Sequence, residues 1–262
     1  VTPRNGEPLV AATQDFLTGA YLLTKRDVFL TRGEFCRMVA YLSDADEHID
    51  LPPPAIFKPR HLWTGKQVMS LLVRPNQQAD SMVNIECQEK FYTKDEHFCA
   101  MDGFVVFRGG EHICGNLGKK TLGSDNKSGL FYVLIRDYGP AETTRCMSRL
   151  AKLCARFMGD RGFSIGVNDV TPSDIMLDIK AKTLKSGQLQ AEDEIEAYKS
   201  GKIKLKPGCD ALQSLESEVN GLLGKIREAC GQAALGALSP RNAPLCMAQC
   251  GSKGSPLNIS QM

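Results

Sequence analysis

The fold of the C-terminal third is decided by residues 171–226, which read TPSDIMLDIKAKTLKSGQLQAEDEIEAYKSGKIKLKPGCDALQSLESEVNGLLGKI. The stretch opens with the residue types that start a helix. Thr171 can cap the first amides, Pro172 stands where no donor is needed, and Asp174 favours the positive helix end. The spacing predicts a long polar helix from this start to about Tyr198.

A second long helix is predicted after a turn at residues 206–208, which read Lys-Pro-Gly. Gly187 weakens the middle of the first helix. The second helix is marked by apolar residues at helical spacing: Leu212, Leu215, Val219, Leu222, Leu223 and Ile226. Two long helices with a short connection are expected to pack antiparallel. The sequence therefore predicts a protruding helical hairpin.

The chain before this hairpin mixes helices and strands. Apolar residues between Leu9 and Ala20 recur at helical spacing, and residues 33–43 predict a second helix. Three prolines at 52–54 predict a stiff, extended linker. Short β-prone runs between glycines and polar turns then indicate a strand-rich unit over residues 83–122.

The segment from residue 130 to the hairpin is dominated by one predicted helix. The apolar run 130–135 fits either a strand or a helix, and Pro140 suits a first helical turn. Gly159 and Gly162 are expected to end the helix. Its apolar stripe, interpreted as core packing, comprises Met147, Leu150, Leu153, Cys154, Phe157 and Met158. The fold class is therefore α+β: a mixed helix/strand domain followed by an all-α domain with a long antiparallel helical hairpin.

Composition sets broad limits on function. The 262 residues are 42% hydrophobic and 24% charged, and the net charge is +2. These values are ordinary for a globular protein and give no strong attraction to nucleic acid or membrane. No apolar run approaches the roughly 18 residues that a membrane span needs. The 10 cysteines are scattered and no secretory pattern precedes them, which favours free thiols in a reducing compartment.

Two clusters suggest metal chemistry but have simpler interpretations. Carboxylates at Asp44, Asp46, Glu47 and Asp50 lack the EF-hand ladder, so we interpret them as a solvated acidic loop. Two His-x-Cys pairs offer zinc ligands at His97, Cys99, His112 and Cys114, although zinc sites more often begin with Cys-x-x-Cys. Cys246 and Cys250 lie one helical turn apart and are interpreted as packed thiols.

Three places in the sequence carry part of a phosphate-binding pattern. Gly65-Lys66 and Gly118-Lys119 are rejected as phosphate loops, because the required upstream glycine and the following Ser or Thr are missing. Residues 251–255, Gly-Ser-Lys-Gly-Ser, are more suggestive, because small residues around a lysine let backbone amides and an ammonium approach an anion together. With four histidines in all, no Ser-His-Asp or Cys-His set can be assigned.

An ordered series of motifs makes the sequence specific. The motifs are TPRNGEPL (2–9), ATQDFLTG (12–19), LWTGKQ (62–67), KTLG (120–123), GFSIG (162–166) with Asp169, and GSKGS (251–255). Together they resemble the largest subunit of cellular RNA polymerases over essentially the whole chain. The start, the run from Gly162 to Pro172 and the final NISQM (258–262) are most similar to polymerase III, with polymerase II the nearest alternative.

This resemblance implies a place within a larger enzyme. Residues 1–169 resemble the pore domain and residues 170–262 the funnel domain, which line the secondary channel. Through that channel nucleoside triphosphates enter, the RNA 3′ end is extruded, and transcript-cleavage factors act. The implied partners are the other polymerase subunits, especially the second-largest, with the DNA template and the RNA transcript, in the nucleus and without a membrane.

The resemblance also implies the chemistry and where it resides. The parent enzyme is a Mg²⁺-dependent nucleotidyltransferase, whose metal ligands lie in an aspartate loop that this sequence lacks. The chain alone is therefore expected to have no catalytic residue, to bind no metal and to be inactive.

Three residues are carried over from the family as channel-facing. Lys253 resembles the basic residue that faces the incoming triphosphate, and Arg227 and Gln261 resemble channel-lining positions. A solvated helix face is an equally good interpretation of Arg227. Gln14 and Asp15 are assigned structural support. Pro256 departs from the aromatic residue usual in the family, and proline removes a donor beside the GSKGS motif.

Other classes of function stay open at this point. Both termini look like cuts through a longer chain, which favours a segment of a subunit. The main alternative is a free-standing, non-catalytic binding module whose hairpin docks a transcription regulator. A zinc-binding domain is the third possibility.

Overall fold

The computed structural model describes residues 1–43, 47–94, 99–124 and 126–262, except for the side chains of Pro256 and Ser260. The chain divides into two compact units. The first unit comprises Val1–Phe163 and Gln249–Lys253, and the second comprises Ser164–Ala248 and Gly254–Met262. Short segments of the C-terminal region are thus shared between the units. The GSKGS motif crosses this division, because its first three residues belong to the first unit.

The first unit contains five helices and five short strands among its described residues. The helices are α1 (Gln14–Leu23), α2 (Arg32–Leu42), α3 (Gly65–Val73), α4 (Lys119–Leu122) and α5 (Leu130–Arg161). The strands are β1 (Phe29–Leu30), β2 (Trp63–Thr64), β3 (Ile85–Gln88), β4 (Phe104–Arg108) and β5 (Glu111–Cys114). Strands β1 and β2 pair antiparallel, and β3, β4 and β5 form a second antiparallel sheet in that order.

Local signals explain where the helices begin. The side chain of Thr31 accepts from the Glu34 amide and the Glu34 side chain returns to the Thr31 amide, which is a capping box at α2. Thr64 and Gln67 form the same arrangement at α3. Position 65 requires glycine, because a Cβ there would stand 1.8 Å from the carbonyl oxygen of Leu23. The LWTGKQ motif therefore starts a helix and lets it approach the end of α1.

The core of the first unit forms where α1 and α2 pack against α5 and where α3 packs against β5. Its largest fully buried side chains include Leu17, Leu23, Phe35, Leu42, Met69, Leu72, Phe107, Phe131 and Leu134. The predicted stripe on α5 contributes Leu150, Leu153, Cys154 and Phe157 to this core. Core packing of the stripe is therefore confirmed.

Helix α5 resolves the ambiguity at residues 130–135, which are helical. Gly139 interrupts the helix with φ 83°, and the chain resumes its helical course at Pro140, as predicted for a first turn. Gly162 ends the helix with φ 73°, whereas Gly159 lies inside it. The strand-rich unit over residues 83–122 is confirmed by β3, β4 and β5.

The prediction for the first helix was wrong at its start. Leu9 and Val10 are exposed, and the helix begins at Gln14. The preceding segment bends at residues 9–10 and forms no regular secondary structure at residues 11–13, and its Ala12 amide donates to the Leu122 carbonyl at 3.1 Å. A tertiary hydrogen bond therefore holds residues that the apolar spacing had placed in the helix.

The second unit is helical throughout its described elements. It contains α6 (Val167–Val170), α7 (Asp174–Lys199), α8 (Ala211–Ala237), most of α9 (Ala243–Cys250) and α10 (Pro256–Gln261). Helices α7 and α8 pack together along the predicted hairpin. The turn is also confirmed, because the Cys209 amide donates to the Lys206 carbonyl and Gly208 has φ 78°. The α+β fold class is confirmed.

Two details of the hairpin differ from prediction. Ser173, not Thr171, caps α7, because Thr171 ends α6, where its hydroxyl donates to the carbonyl of Val167. Gly187 does more than weaken a helix: a Cβ there would stand 2.1 Å from Cδ1 of Ile226. The glycine therefore allows α7 and α8 to approach closely.

Two further structural findings bear on function. All 10 cysteines lie in the described part of the chain, and none of them forms a disulfide bond. Among the described residues, no helix is both long enough and apolar enough to cross a membrane. The pore and funnel boundaries at residues 169 and 170 stay a prediction.

Candidate functional site

The GSKGS motif forms a loop between α9 and α10. Gly251 and Gly254 have φ 81° and 87°, in the left-handed region that favours glycine. At Gly251 there is also no room for a side chain, because a Cβ would stand 2.7 Å from Cβ of Lys119. This glycine is thus needed for both the turn and a close tertiary contact.

Helix α1 anchors the start of the loop inside the first unit. The hydroxyl of Thr18, which is buried, donates to Oγ of Ser252 at 2.9 Å, and the Cys250 thiol donates to the same oxygen at 3.3 Å. The Tyr21 hydroxyl donates to Oε1 of Gln249 at 2.8 Å. The residues that precede Lys253 are therefore held by side-chain hydrogen bonds.

Lys253 follows this anchor and is exposed. It forms no ion pair with any residue that the structure describes. Its neighbours are small, so an anion can approach the ammonium group and nearby backbone amides together. Lys253 is thus an exposed lysine that follows a backbone segment held in place by hydrogen bonds.

The other two predicted residues belong to the second unit. Arg227 is exposed on α8 and Gln261 is exposed on α10, and α10 packs against α8. The structure thus brings their helices together. Pro256 fits here as an early position of α10, after Ser255 has capped the helix by accepting from the Asn258 amide. The departure from the family pattern is compatible with the loop.

A groove of about 520 Å³ lies within the second unit. Its lining includes Asp169, Met176, Leu177, Ala234, Asn242 and Gln261. Asp169, a motif residue, supports the groove wall: its carboxylate accepts from the amides of Gly166 and Ala243, and these hydrogen bonds lower its pKa. The motif aspartate is therefore structural in this unit.

The described residues of the candidate metal sites make other contacts. Asp44, Asp46 and His97 lie outside the described residues. Glu47 is not simply solvated, because its carboxylate pairs with the buried guanidinium of Arg149. The described residues contain no group of three or more His, Cys, Asp or Glu side chains that could hold a metal ion.

His112 of the zinc hypothesis is part of the core. Its ring stacks on Phe107 with centroids 4.6 Å apart, and neither ring nitrogen has a hydrogen-bond partner among the residues that the structure describes. Burial, assisted by the charge of Lys66, lowers the pKa of His112 to about 3. The thiol of Cys114 donates instead to the Phe104 carbonyl at 3.5 Å. Cys246 and Cys250 are buried, which confirms them as packed thiols.

Sequence reasoning missed the residues that support the loop. Thr18 and Tyr21 lie on α1, and Thr18 belongs to the ATQDFLTG motif, although nothing local links it to residue 252. Glu89 is a buried carboxylate with no sequence signal. Such roles depend on contacts between distant parts of the chain.

Comparison with known proteins gives matches over most of the chain. The family model described as RNA polymerase Rpb1, domain 3, matches residues 1–170, and the model for domain 4 matches residues 195–262. The chain is 47% identical to DNA-directed RNA polymerase III subunit RPC1 of Homo sapiens, 46% to that of Dictyostelium discoideum and 44% to that of Saccharomyces cerevisiae. Each match covers 100% of this chain and 18–19% of the relative's length.

Proposed function

The chain belongs to the RNA polymerase Rpb1 family, and from that membership we propose that it is the pore and funnel part of the largest subunit of a DNA-directed RNA polymerase of class III. Residues 1–169 form the pore domain and residues 170–262 the funnel domain in this proposal. Support comes from identity above 40% along the whole chain with subunits of that name. The complete enzyme acts in the nucleus in this proposal.

The proposed reaction is nucleotidyl transfer by the complete enzyme. The RNA 3′-hydroxyl attacks the α-phosphate of a nucleoside triphosphate, a phosphodiester bond forms, and pyrophosphate leaves. When bound, Mg²⁺ stabilises the attacking and leaving oxygens in such reactions. The described residues do not fit a Mg²⁺ site. We therefore assign the metal ligands to other parts of the subunit.

The role proposed for this chain is to line the channel for nucleotide entry and RNA 3′-end extrusion. One observation carries it: Lys253 is exposed in the middle of the GSKGS loop, whose start is held by hydrogen bonds from Thr18 and Tyr21. An ammonium group in that position attracts the highly anionic triphosphate. Arg227 and Gln261 are proposed to line the channel as well.

Substitution of Lys253 in the assembled polymerase tests this role. Hydrogen bonds to charged groups contribute about 1.5–3 kcal/mol, so K253A should raise KM for nucleoside triphosphates by at least about tenfold. K253R should retain most of the affinity, because it keeps the positive charge. Lys202→Ala, which removes an exposed lysine after α7, is the matched control. An unchanged KM in K253A would contradict the role.

The proposed partners are the other polymerase subunits, especially the second-largest, together with DNA, RNA and transcript-cleavage factors at the hairpin. Exposed apolar side chains support a protein-binding hairpin, among them Ile175, Leu189 and Leu212. L189D should weaken binding of such a factor to the assembled polymerase, whereas the exposed-site control E192Q should not. Equal binding by both variants would remove the hairpin from the proposal.

A further inference from the structure

A buried carboxylate binds the turn at residues 118–121, which is the start of α4 and lies against the GSKGS loop. Glu89 is 2% exposed and follows β3. Its Oε1 accepts from the amides of Gly118 and Thr121 at 3.0 and 2.9 Å and from the Thr121 hydroxyl at 2.6 Å. Its Oε2 accepts from the amide of Lys120 at 3.1 Å. Four donors of one short turn thus converge on a single side chain.

The turn has little freedom to move relative to Glu89. A Cβ at Gly118 would stand 2.7 Å from Oε2, so the backbone passes directly over the carboxylate. Charge-assisted hydrogen bonds of this kind are shorter and stronger than neutral ones. The position of the backbone at residues 118–121 is therefore set by Glu89.

The same turn is in close contact with the GSKGS loop. Cβ of Lys119, at the centre of the turn, closes the space beside Gly251, where an added Cβ would stand at 2.7 Å. Gly251 precedes Lys253 by two residues, and both lie in the first unit. A shift of the turn toward the loop would meet Gly251 directly, and a shift away would leave the loop without this support.

We propose that Glu89 is a positioning residue for Lys253. It acts through the turn at residues 118–121 and through the contact between Lys119 and Gly251. This inference rests on the proposed function, in which Lys253 faces the nucleoside triphosphate. Thr18 and Tyr21 hold the loop from α1, and Glu89 fixes the surface against which the loop turns.

A glutamine cannot replace Glu89 in this role. Glutamine offers one acceptor oxygen, and its NH₂ group would face either the Lys120 amide or the donors of Gly118 and Thr121. A donor would then oppose a donor in a buried place, which is costly. Thr121→Val is a milder change, because it removes only the hydroxyl donor and keeps the side-chain shape.

The test measures KM and kcat for nucleoside triphosphates in the assembled polymerase with substitutions in the full-length subunit. E89Q should raise KM by about fivefold, the lower end of typical coupling between sites, with little change in kcat. T121V should raise KM less. Glu86→Gln is the matched control, because Glu86 lies on β3 and is exposed, and it should leave KM unchanged.

Combination with K253A separates a positioning role from general damage. If Glu89 acts through Lys253, E89Q should have no further effect on KM in the K253A background. An equal effect in both backgrounds would overturn the inference. If K253A raises KM and E89Q does not, the inference is wrong and the proposed function stands. If K253A itself has no effect, the proposed role of Lys253 fails first. If E89Q does not assemble, T121V is judged by the same criteria, and a normal KM in T121V overturns the inference.

Discussion

Stability of the first unit should fall between pH 7 and pH 5 because of one residue, His112. Its pKa is lowered from 6.5 to about 3, chiefly by burial and also by the charge of Lys66. As pH falls through 6.5, the unfolded chain binds a proton that the folded chain excludes. The folded state is therefore favoured above pH 6.5 and loses stability progressively as pH falls toward 3.

The expected loss can be worked from these two pKa values. A histidine that titrates at 6.5 when unfolded and at about 3 when folded lowers the free energy of unfolding by about 2 kcal/mol between pH 7 and pH 5. His112→Phe keeps an aromatic ring beside Phe107 and removes the titration. The loss between pH 7 and pH 5 should therefore be smaller in the variant by about 2 kcal/mol.

Urea unfolding followed by tryptophan fluorescence isolates this effect. Trp63 is the only tryptophan, it is buried against Phe35 in the first unit, and it reports that unit alone. His48→Gln, at an exposed histidine paired with Asp50, is the control and should keep the wild-type pH dependence. If His112→Phe loses as much stability between pH 7 and pH 5 as the wild type, the reasoning is refuted.

Three further outcomes are expected. Arg149→Met should lower the free energy of unfolding of the first unit by about 3 kcal/mol in the same urea assay, because it leaves the partly buried carboxylates of Glu47 and Glu142 without their buried cationic partner. A change below about 1 kcal/mol would contradict this. In the hairpin, Gly187→Ala should lower the melting temperature followed by circular dichroism, because the new Cβ would overlap Cδ1 and Cγ1 of Ile226. In an Ile226→Ala background, which lacks both atoms, Gly187→Ala should cause a smaller loss; an equal loss in both backgrounds would exclude the overlap. At pH 8, iodoacetamide should label Cys99 before Cys154, as read by mass spectrometry of digested protein. Burial opposes ionisation of Cys99, but backbone hydrogen bonds at Thr93 and Gly103 outweigh it and lower its pKa, whereas burial raises the pKa of Cys154 to about 12; equal labelling would be inconsistent with these environments.

Much of the local structure could be predicted, because its signals lie within a few residues. The hairpin, its turn at residues 206–208 and the restart of α5 at Pro140 follow from periodicity and from the limits of proline and glycine. Predictions failed where a distant group intervened. Leu9 has helical spacing, yet it lies in a bend outside the helix, and the Ala12 amide that follows donates to the distant Leu122 carbonyl.

The candidate site was predicted only in part. Small residues around Lys253 indicated an anion-binding loop, and the ordered motifs indicated the family, which the comparisons confirm. The zinc hypothesis relied on two His-x-Cys pairs, but His112 of the second pair lies in the core against Phe107. A strand pattern tells which residues share a face, and the packing of the whole unit decides whether that face is buried.

By itself the sequence determined the helical hairpin, the strand-rich segment, the α+β class and the family, since capping, periodicity and motif order are written along the chain. Only the tertiary structure decided what holds the GSKGS loop. Thr18 and Ser252 are 234 residues apart, and Glu89 reaches Gly251 only through the turn that contains Lys119. Hydrogen bonds and van der Waals contacts act over a few ångströms, so residues remote in sequence cooperate only after folding has brought them together.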